Sequence, residues 1–255
     1  TKDQLENIKH YLIVFVPPNE RYSVASFKQD AENAIEEILT KGKVPIVVGG
    51  TGLYVNSLIY GIEFNSIEID EEYRKELDKR AEKEGLDSLY NEAKKIDPEA
   101  IKNISKNDKK RIIRILEIYK QTGKTKTEQE IESRKNGVKY DYKVFAINMD
   151  REVLYERINK RVDIMIEQGL IQEVENLVKK YKEFPTAMQG LGYKEVVQFI
   201  NGELTKEEMI EKIKQETRRY SKRQITWFKK NKDTIWLDGL DTKQNNINII
   251  LEEIK

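Results

Sequence analysis

Residues 11–16 (YLIVFV) and 44–48 (VPIVV) are apolar throughout instead of alternating with polar positions. Strands of that kind are buried on both faces, as in a parallel sheet covered by helices. Between them, the stretch from Ser23 keeps Phe27, Ala31, Ala34, Ile35 and Ile38 on one face. That spacing predicts a helix capped by Ser23 and stopped near Gly42. Strand, helix, strand is a βαβ unit. Two later runs, 143–148 (KVFAIN) and 234–237 (TIWL), are expected to join the same sheet.

From about residue 67 to 136 the pattern becomes charged and helical, with no strand signal. IDEEYRKELDKRAEKEG carries opposite charges at i,i+4 spacing, Asp97 and Pro98 read as N-cap and first helical residue, and NDKKRIIRILEIYKQTG runs to a stop at Gly123. A long amphipathic run, EVLYERINKRVDIMIEQGLIQEVENLVKKY, breaks at Gly169, and DTKQNNINIILEEIK closes the chain as a short helix. The expected division is an α/β core over 1–66 and 137–255, with an all-helical insertion over 67–136.

Composition narrows the chemistry. With 255 residues, 38% of them hydrophobic, the chain can bury a core in one or two domains. Its 46 Lys and Arg nearly cancel 45 Asp and Glu, so a nucleic-acid site has to be a local patch. The absence of cysteine excludes disulfides, thiol nucleophiles and Cys-ligated zinc, and points to a reducing compartment. His10 is the only histidine, which excludes a zinc site built on several imidazoles. The longest apolar run is too short to cross a bilayer and no signal peptide opens the chain, so a cytoplasmic protein with no membrane partner is expected.

Four stretches could carry chemistry. VVGGTGLY places Gly49, Gly50, Thr51 and Gly52 between an expected strand and an expected helix, where backbone N–H groups can close on a phosphate. It is neither a Walker A loop nor a dinucleotide fingerprint, and a plain tight turn would look the same. In YERINKRVDIM, Arg157 and Arg161 stand one helical turn apart beside Lys160, suited to clamping a diphosphate or simply to a solvated face. RRYSKRQITWFKKNK (218–232) interleaves seven basic residues with three aromatics and no acid. Tyr220, Trp227 and Phe228 could stack bases while Arg218, Arg219, Lys222 and Arg223 engage phosphates; at helical spacing Ile225 and Trp227 could equally be core. TAMQGLGYKE adds Gln189, Tyr193 and Lys194 beside two glycines.

Taken in order, VGGTGLY, NDKKRIIRILEIY, RINKRVDIM, AMQGLGYKE and SKRQITWF resemble the tRNA dimethylallyltransferases, also called tRNA isopentenyltransferases. The similarity runs from about residue 10 to 238. It implies a P-loop NTPase-like, nucleotide-kinase-like α/β fold, a parallel sheet flanked by helices, with the helical insertion contacting tRNA. It implies transfer of a dimethylallyl group from dimethylallyl diphosphate to N6 of the adenosine 3′ of the anticodon, a magnesium ion for the diphosphate, and a monomer bound to the tRNA anticodon stem-loop.

By the same resemblance, Arg161 and Thr51 are catalytic, and Gly49, Gly50, Thr51, Gly52 and Arg161 bind the diphosphate. Asn107, Asp108, Arg111, Gln189, Tyr193, Arg218, Lys222, Arg223, Gln224 and Trp227 fall where the family contacts tRNA. Family members also begin with a G-P-T-A-S-G-K-T loop and a D-S-M-Q-V-Y segment whose Asp is the general base. These residues hold neither. The expectation is therefore that they are the body of a longer enzyme, inactive alone, with the magnesium ligands in the missing part. The alternative is a non-catalytic tRNA-binding remnant; a nucleotide-kinase relative acting on a small molecule ranks last, because it leaves KRQITW unexplained.

Overall fold

A computed structural model describes residues 8–64 and 70–254. The chain divides into two compact units, Thr1–Val55 with Asp141–Lys255, and Asn56–Tyr140. Among the described residues the architecture is mixed α/β, mostly helical, with one small parallel sheet.

The first unit begins with helix α1 (Val24–Leu39), whose Ser23 Oγ accepts from the Ser26 N–H at 3.1 Å. Ala31 and Ile35 are buried on its inner face, and Gly42 follows with φ +65°. Helix α2 (Gly52–Ile59) leads the chain out of this unit. The runs at 11–16 and 44–48 are not strands, so the expected βαβ unit does not form. A strand is held by a neighbour's ladder, and among the described residues neither run has one. Leu12 and Val14 have positive φ, which interrupts an extended path, and Val14 is 99% exposed.

The second unit holds α3 (Glu71–Glu84), α4 (Leu86–Ile96), α5 (Pro98–Ile101), α6 (Lys109–Thr122) and α7 (Lys126–Glu132). Leu77, Leu89, Ala93, Ile101, Ile112, Ile115 and Leu116 form its core. Asp97 is the cap that the sequence predicts: it accepts from the Ala100 N–H at 2.9 Å, and also from the Thr127 N–H at 2.8 Å and hydroxyl at 2.7 Å, tying α5 to α7. Gly123 ends α6 in the left-handed region, a conformation that favours glycine.

Back in the first unit, strand β1 (Phe145–Asn148) is followed by α8 (Arg151–Glu167), α9 (Leu170–Lys180), a 3₁₀ turn at Ala187–Gln189, α10 (Tyr193–Ile200), α11 (Lys206–Phe228), strand β2 (Ile235–Asp238) and α12 (Lys243–Glu253). KVFAIN and TIWL do supply strands, but they pair with each other and not with the earlier runs, in parallel and in register from Phe145↔Ile235 to Asn148↔Asp238. Parallel strands require a crossover, here supplied by α8 to α11. Gly169, at φ +96°, separates α8 from α9. Val162, Leu170, Val174, Val196, Met209 and Ile213 pack the crossover's core. Asp163 pairs with Lys214 at 2.7 Å, and the Arg218 guanidinium donates to Asn159 Oδ1 at 2.6 Å. That reciprocal order sets α8 and α11 antiparallel.

Candidate functional site

The glycine loop is seated on the C-terminal half of α11. Gln224 Nε2 donates to the Gly50 carbonyl at 2.9 Å, and the Tyr220 hydroxyl reaches the same oxygen at 3.4 Å. A Cβ on Gly50 would fall 1.8 Å from Gln224 Nε2, and one on Gly52 2.4 Å from the Trp227 ring. The Trp227 ring therefore leaves Gly52 no room for a side chain, whereas one on Gly50 would displace the Gln224 amide. Thr51 immediately precedes α2 and is exposed; its carbonyl accepts from the Tyr54 and Val55 N–H groups. On the other flank, Tyr54 stacks on Phe27 of α1 with ring centroids 4.5 Å apart. At an α-helix start, N–H groups without intrahelical partners and the positive end of the helix favour an anion.

The basic stretch thus has two faces. Tyr220, Gln224 and Trp227, at i, i+4 and i+7, turn toward the glycine loop. Lys222 and Arg223 are exposed, and neither forms an ion pair among the described residues. Arg223 lies over the Tyr220 ring at 5.6 Å. The Trp227 indole N–H is buried without a hydrogen-bond partner. Trp227 therefore packs on the loop, which is the core reading of its helical spacing. The i, i+4, i+7 signal was present in the sequence; its target, the glycine loop, was not.

Arg161 projects from α8, exposed and without an ion pair among the described residues, as is Lys160. Arg157 reaches the Gly239 carbonyl at 3.5 Å. Arg218, half-buried, is engaged with Asn159. Asn107, Asp108 and Arg111 come together at the start of α6, in the second unit. There Asp108 caps the helix through the Arg111 N–H at 3.1 Å and meets the Arg111 guanidinium at 3.4 Å. Gln189 is exposed at the end of its 3₁₀ turn. Tyr193 donates its hydroxyl to Glu173; burial and then that carboxylate push the phenol up to about 12.

Gly123, Lys124 and Thr125 spell the end of a phosphate-loop motif, but Ile118 stands where its first glycine belongs and Lys124 pairs with Glu132 at 2.7 Å. Among the described residues, no group of three or more His, Cys, Asp or Glu is arranged to hold a metal ion. No described helix is long and apolar enough to cross a membrane.

A family model for IPP transferase matches residues 1–231. The tRNA dimethylallyltransferase of Acetivibrio thermocellus is 50% identical over 238 residues, spanning 93% of this chain and 76% of its own. That of Desulforamulus reducens is 38% identical, spanning 100% of this chain and 90% of its own. The solved tRNA isopentenylpyrophosphate transferase of Bacillus halodurans is similar over 100% of this chain and 80% of its own, with TM-score 0.69 and 37% identity. A eukaryotic dimethylallyltransferase acting on tRNA has TM-score 0.74 at 33% identity, spanning 100% of this chain and 66% of its own. Glycine loop, α8 and α11 all lie inside the matched residues, and the mixed α/β fold is shared with transferases of this kind. The chain belongs to the IPP transferase family.

Proposed function

We propose that this chain serves prenyl transfer to tRNA, moving a dimethylallyl group from dimethylallyl diphosphate to N6 of the adenosine 3′ of the anticodon. The N6 lone pair forms the new C–N bond at the donor's C1. The C1–O bond breaks with its electrons going to diphosphate, and the N6 proton passes to a base. The observation that carries this reading is the two-faced α11, which joins a glycine loop suited to an anion to exposed Lys222 and Arg223, suited to an RNA backbone.

In this reading Gly49, Gly50, Thr51 and Gly52 cradle the diphosphate, and Thr51 and Arg161 act on it directly. An Arg161 guanidinium free of a carboxylate partner can stabilise charge that develops on the leaving group. Lys222 and Arg223, with Arg218 behind them, meet the anticodon stem-loop, as do Gln189 and Tyr193, while Trp227 supports that helix from the loop side; in the second unit, Asn107, Asp108 and Arg111 are tRNA contacts in their own right. The adenosine has to leave its stack to reach a carbon electrophile. Magnesium enters as a partner of the diphosphate. The protein works as a cytoplasmic monomer.

No G-x-x-x-x-G-K-[ST] run occurs among the 255 residues. The 255-residue chain alone is therefore proposed to bind the stem-loop without turning it over. Transfer of radiolabelled dimethylallyl to an anticodon stem-loop, by this chain and by the full reading frame, tests both statements. Transfer by the longer protein alone is expected. Transfer by the 255 residues overturns the second statement, and binding without transfer by both overturns the first in favour of a tRNA-binding remnant.

A further inference from the structure

Sequence resemblance groups Gln224 with the tRNA contacts, yet its side-chain amide lies on the Gly50 carbonyl, 174 residues away in the chain. We infer that Gln224 is a positioning residue for the glycine loop, holding the Gly50–Thr51 peptide so that its N–H faces the diphosphate, and that it does not contact tRNA. This rests on the reading of that loop as the diphosphate cradle.

The geometry follows from the peptide group itself. Every described peptide bond is trans, and in a planar trans peptide the C=O and the next residue's N–H point in opposite directions. Because Gln224 fastens the Gly50 oxygen toward α11, the Thr51 N–H is aimed away from α11, toward the open side of the loop. That N–H makes no hydrogen bond among the described residues. Gly50, on one side of this peptide, allows it to rotate more readily than a residue with a side chain would. Rotation here would turn a carbonyl, the negative end of the dipole, toward an anion. Gln224 opposes the rotation with a neutral donor, and Tyr220 adds a longer second contact to the same oxygen.

The fit is tight on both sides. Gly50 has no room for a Cβ because the Gln224 amide occupies that space, and the Trp227 ring behind Gly52 prevents the loop from sinking onto the helix. A glutamate at position 224 would set acceptor against acceptor until it took up a proton. A leucine would fill the space and donate nothing.

The test uses the full-length protein, with inorganic pyrophosphate and an anticodon stem-loop each titrated by calorimetry. Gln224→Leu is expected to weaken pyrophosphate binding roughly tenfold, as loss of a donor at a charged site does, and to leave stem-loop affinity within about twofold. Gln224→Glu should recover pyrophosphate binding, relative to the parent at the same pH, as pH falls toward about 4, where an ordinary glutamate carboxyl takes up its proton and can donate to the Gly50 oxygen. It carries the same test should Gln224→Leu fail to fold. Gly50→Ala should reproduce the Gln224→Leu loss, and the double variant should lose no more than either single one. Unchanged pyrophosphate binding, or a loss of stem-loop affinity equal to or greater than the pyrophosphate loss, overturns the assignment. If the unaltered protein binds no pyrophosphate, the cradle reading itself fails.

Discussion

The Trp227 ring occupies the space that a side chain on Gly52 would need, with Cγ and Cδ1 each 2.4 Å from where a Cβ would lie. A helix near the end of the chain thus forms the floor of a loop near its beginning. Gly52→Ala forces either ring or loop to move, an overpacking expected to cost about 1–3 kcal/mol and several degrees in Tm. Gly49 has open space around it, with nothing within 4 Å of an added Cβ. Gly49→Ala should leave stability within about 0.5 kcal/mol. Thermal melting of the two variants side by side reads the difference, and equal destabilisation would contradict the packing described.

Asp97 should give the second unit a dependence on acid. Burial pushes its carboxyl up, but the hydrogen bonds from the Ala100 N–H and from the Thr127 hydroxyl and N–H outweigh burial and hold its pKa below the ordinary value. A lowered carboxyl contributes stability that is present above its unfolded pKa of about 4 and is lost as pH falls through the folded value. Asp97→Asn sets an amide N–H₂ against a donor and is expected to cost about 1–3 kcal/mol near neutral pH, with a smaller difference from the parent once pH has fallen through the lowered Asp97 value. Denaturation across pH, followed by helix signal, checks both.

Local signals made most helices readable. Ser23 and Asp97 cap, Gly123 and Gly169 stop, and each acts within a few residues of itself. That β1 and β2 are strands was also legible, from two β-branched and aromatic runs; that they pair with each other, and not with the runs at 11–16 and 44–48, was not. The runs at 11–16 and 44–48 show the same apolar signal without becoming strands, because a strand depends on a neighbour that its own residues do not encode. The site behaves likewise. That Tyr220, Gln224 and Trp227 share a helix face follows from spacing, whereas their meeting with Gly50 and Gly52 is a tertiary contact across most of the chain.

Glu117 is buried in the second unit and accepts both forks of Arg74, Nε at 2.6 Å and Nη2 at 2.9 Å, with Arg114 at 3.5 Å. Arg74→Ala removes the bidentate partner and leaves the carboxylate to Arg114 alone. The expected cost is about 3 kcal/mol, the lower end for breaking a buried pair, because one guanidinium remains. Arg74→Ala with Arg114→Ala should cost clearly more than the sum of the two single changes, since together they leave the charge unpaired. Urea denaturation of the three variants decides it, and simple additivity would count against a shared carboxylate.

Arg161 on α8 and the Lys222–Arg223 pair on α11 are exposed cations, the first proposed to meet diphosphate and the pair proposed to meet tRNA. The most direct test measures, in the full-length protein, the single-turnover rate of prenyl transfer and the salt dependence of stem-loop binding for Arg161→Ala, Lys222→Ala and Arg223→Ala. Arg161→Ala is expected to slow transfer by about 100-fold or more, as loss of a transition-state donor does, with stem-loop affinity nearly unchanged. Lys222→Ala and Arg223→Ala should each weaken the stem-loop and lower the salt slope by about one. Three variants that weaken binding alike, with transfer on bound RNA unchanged, would contradict the assignment of diphosphate to α8 and tRNA to the outer face of α11.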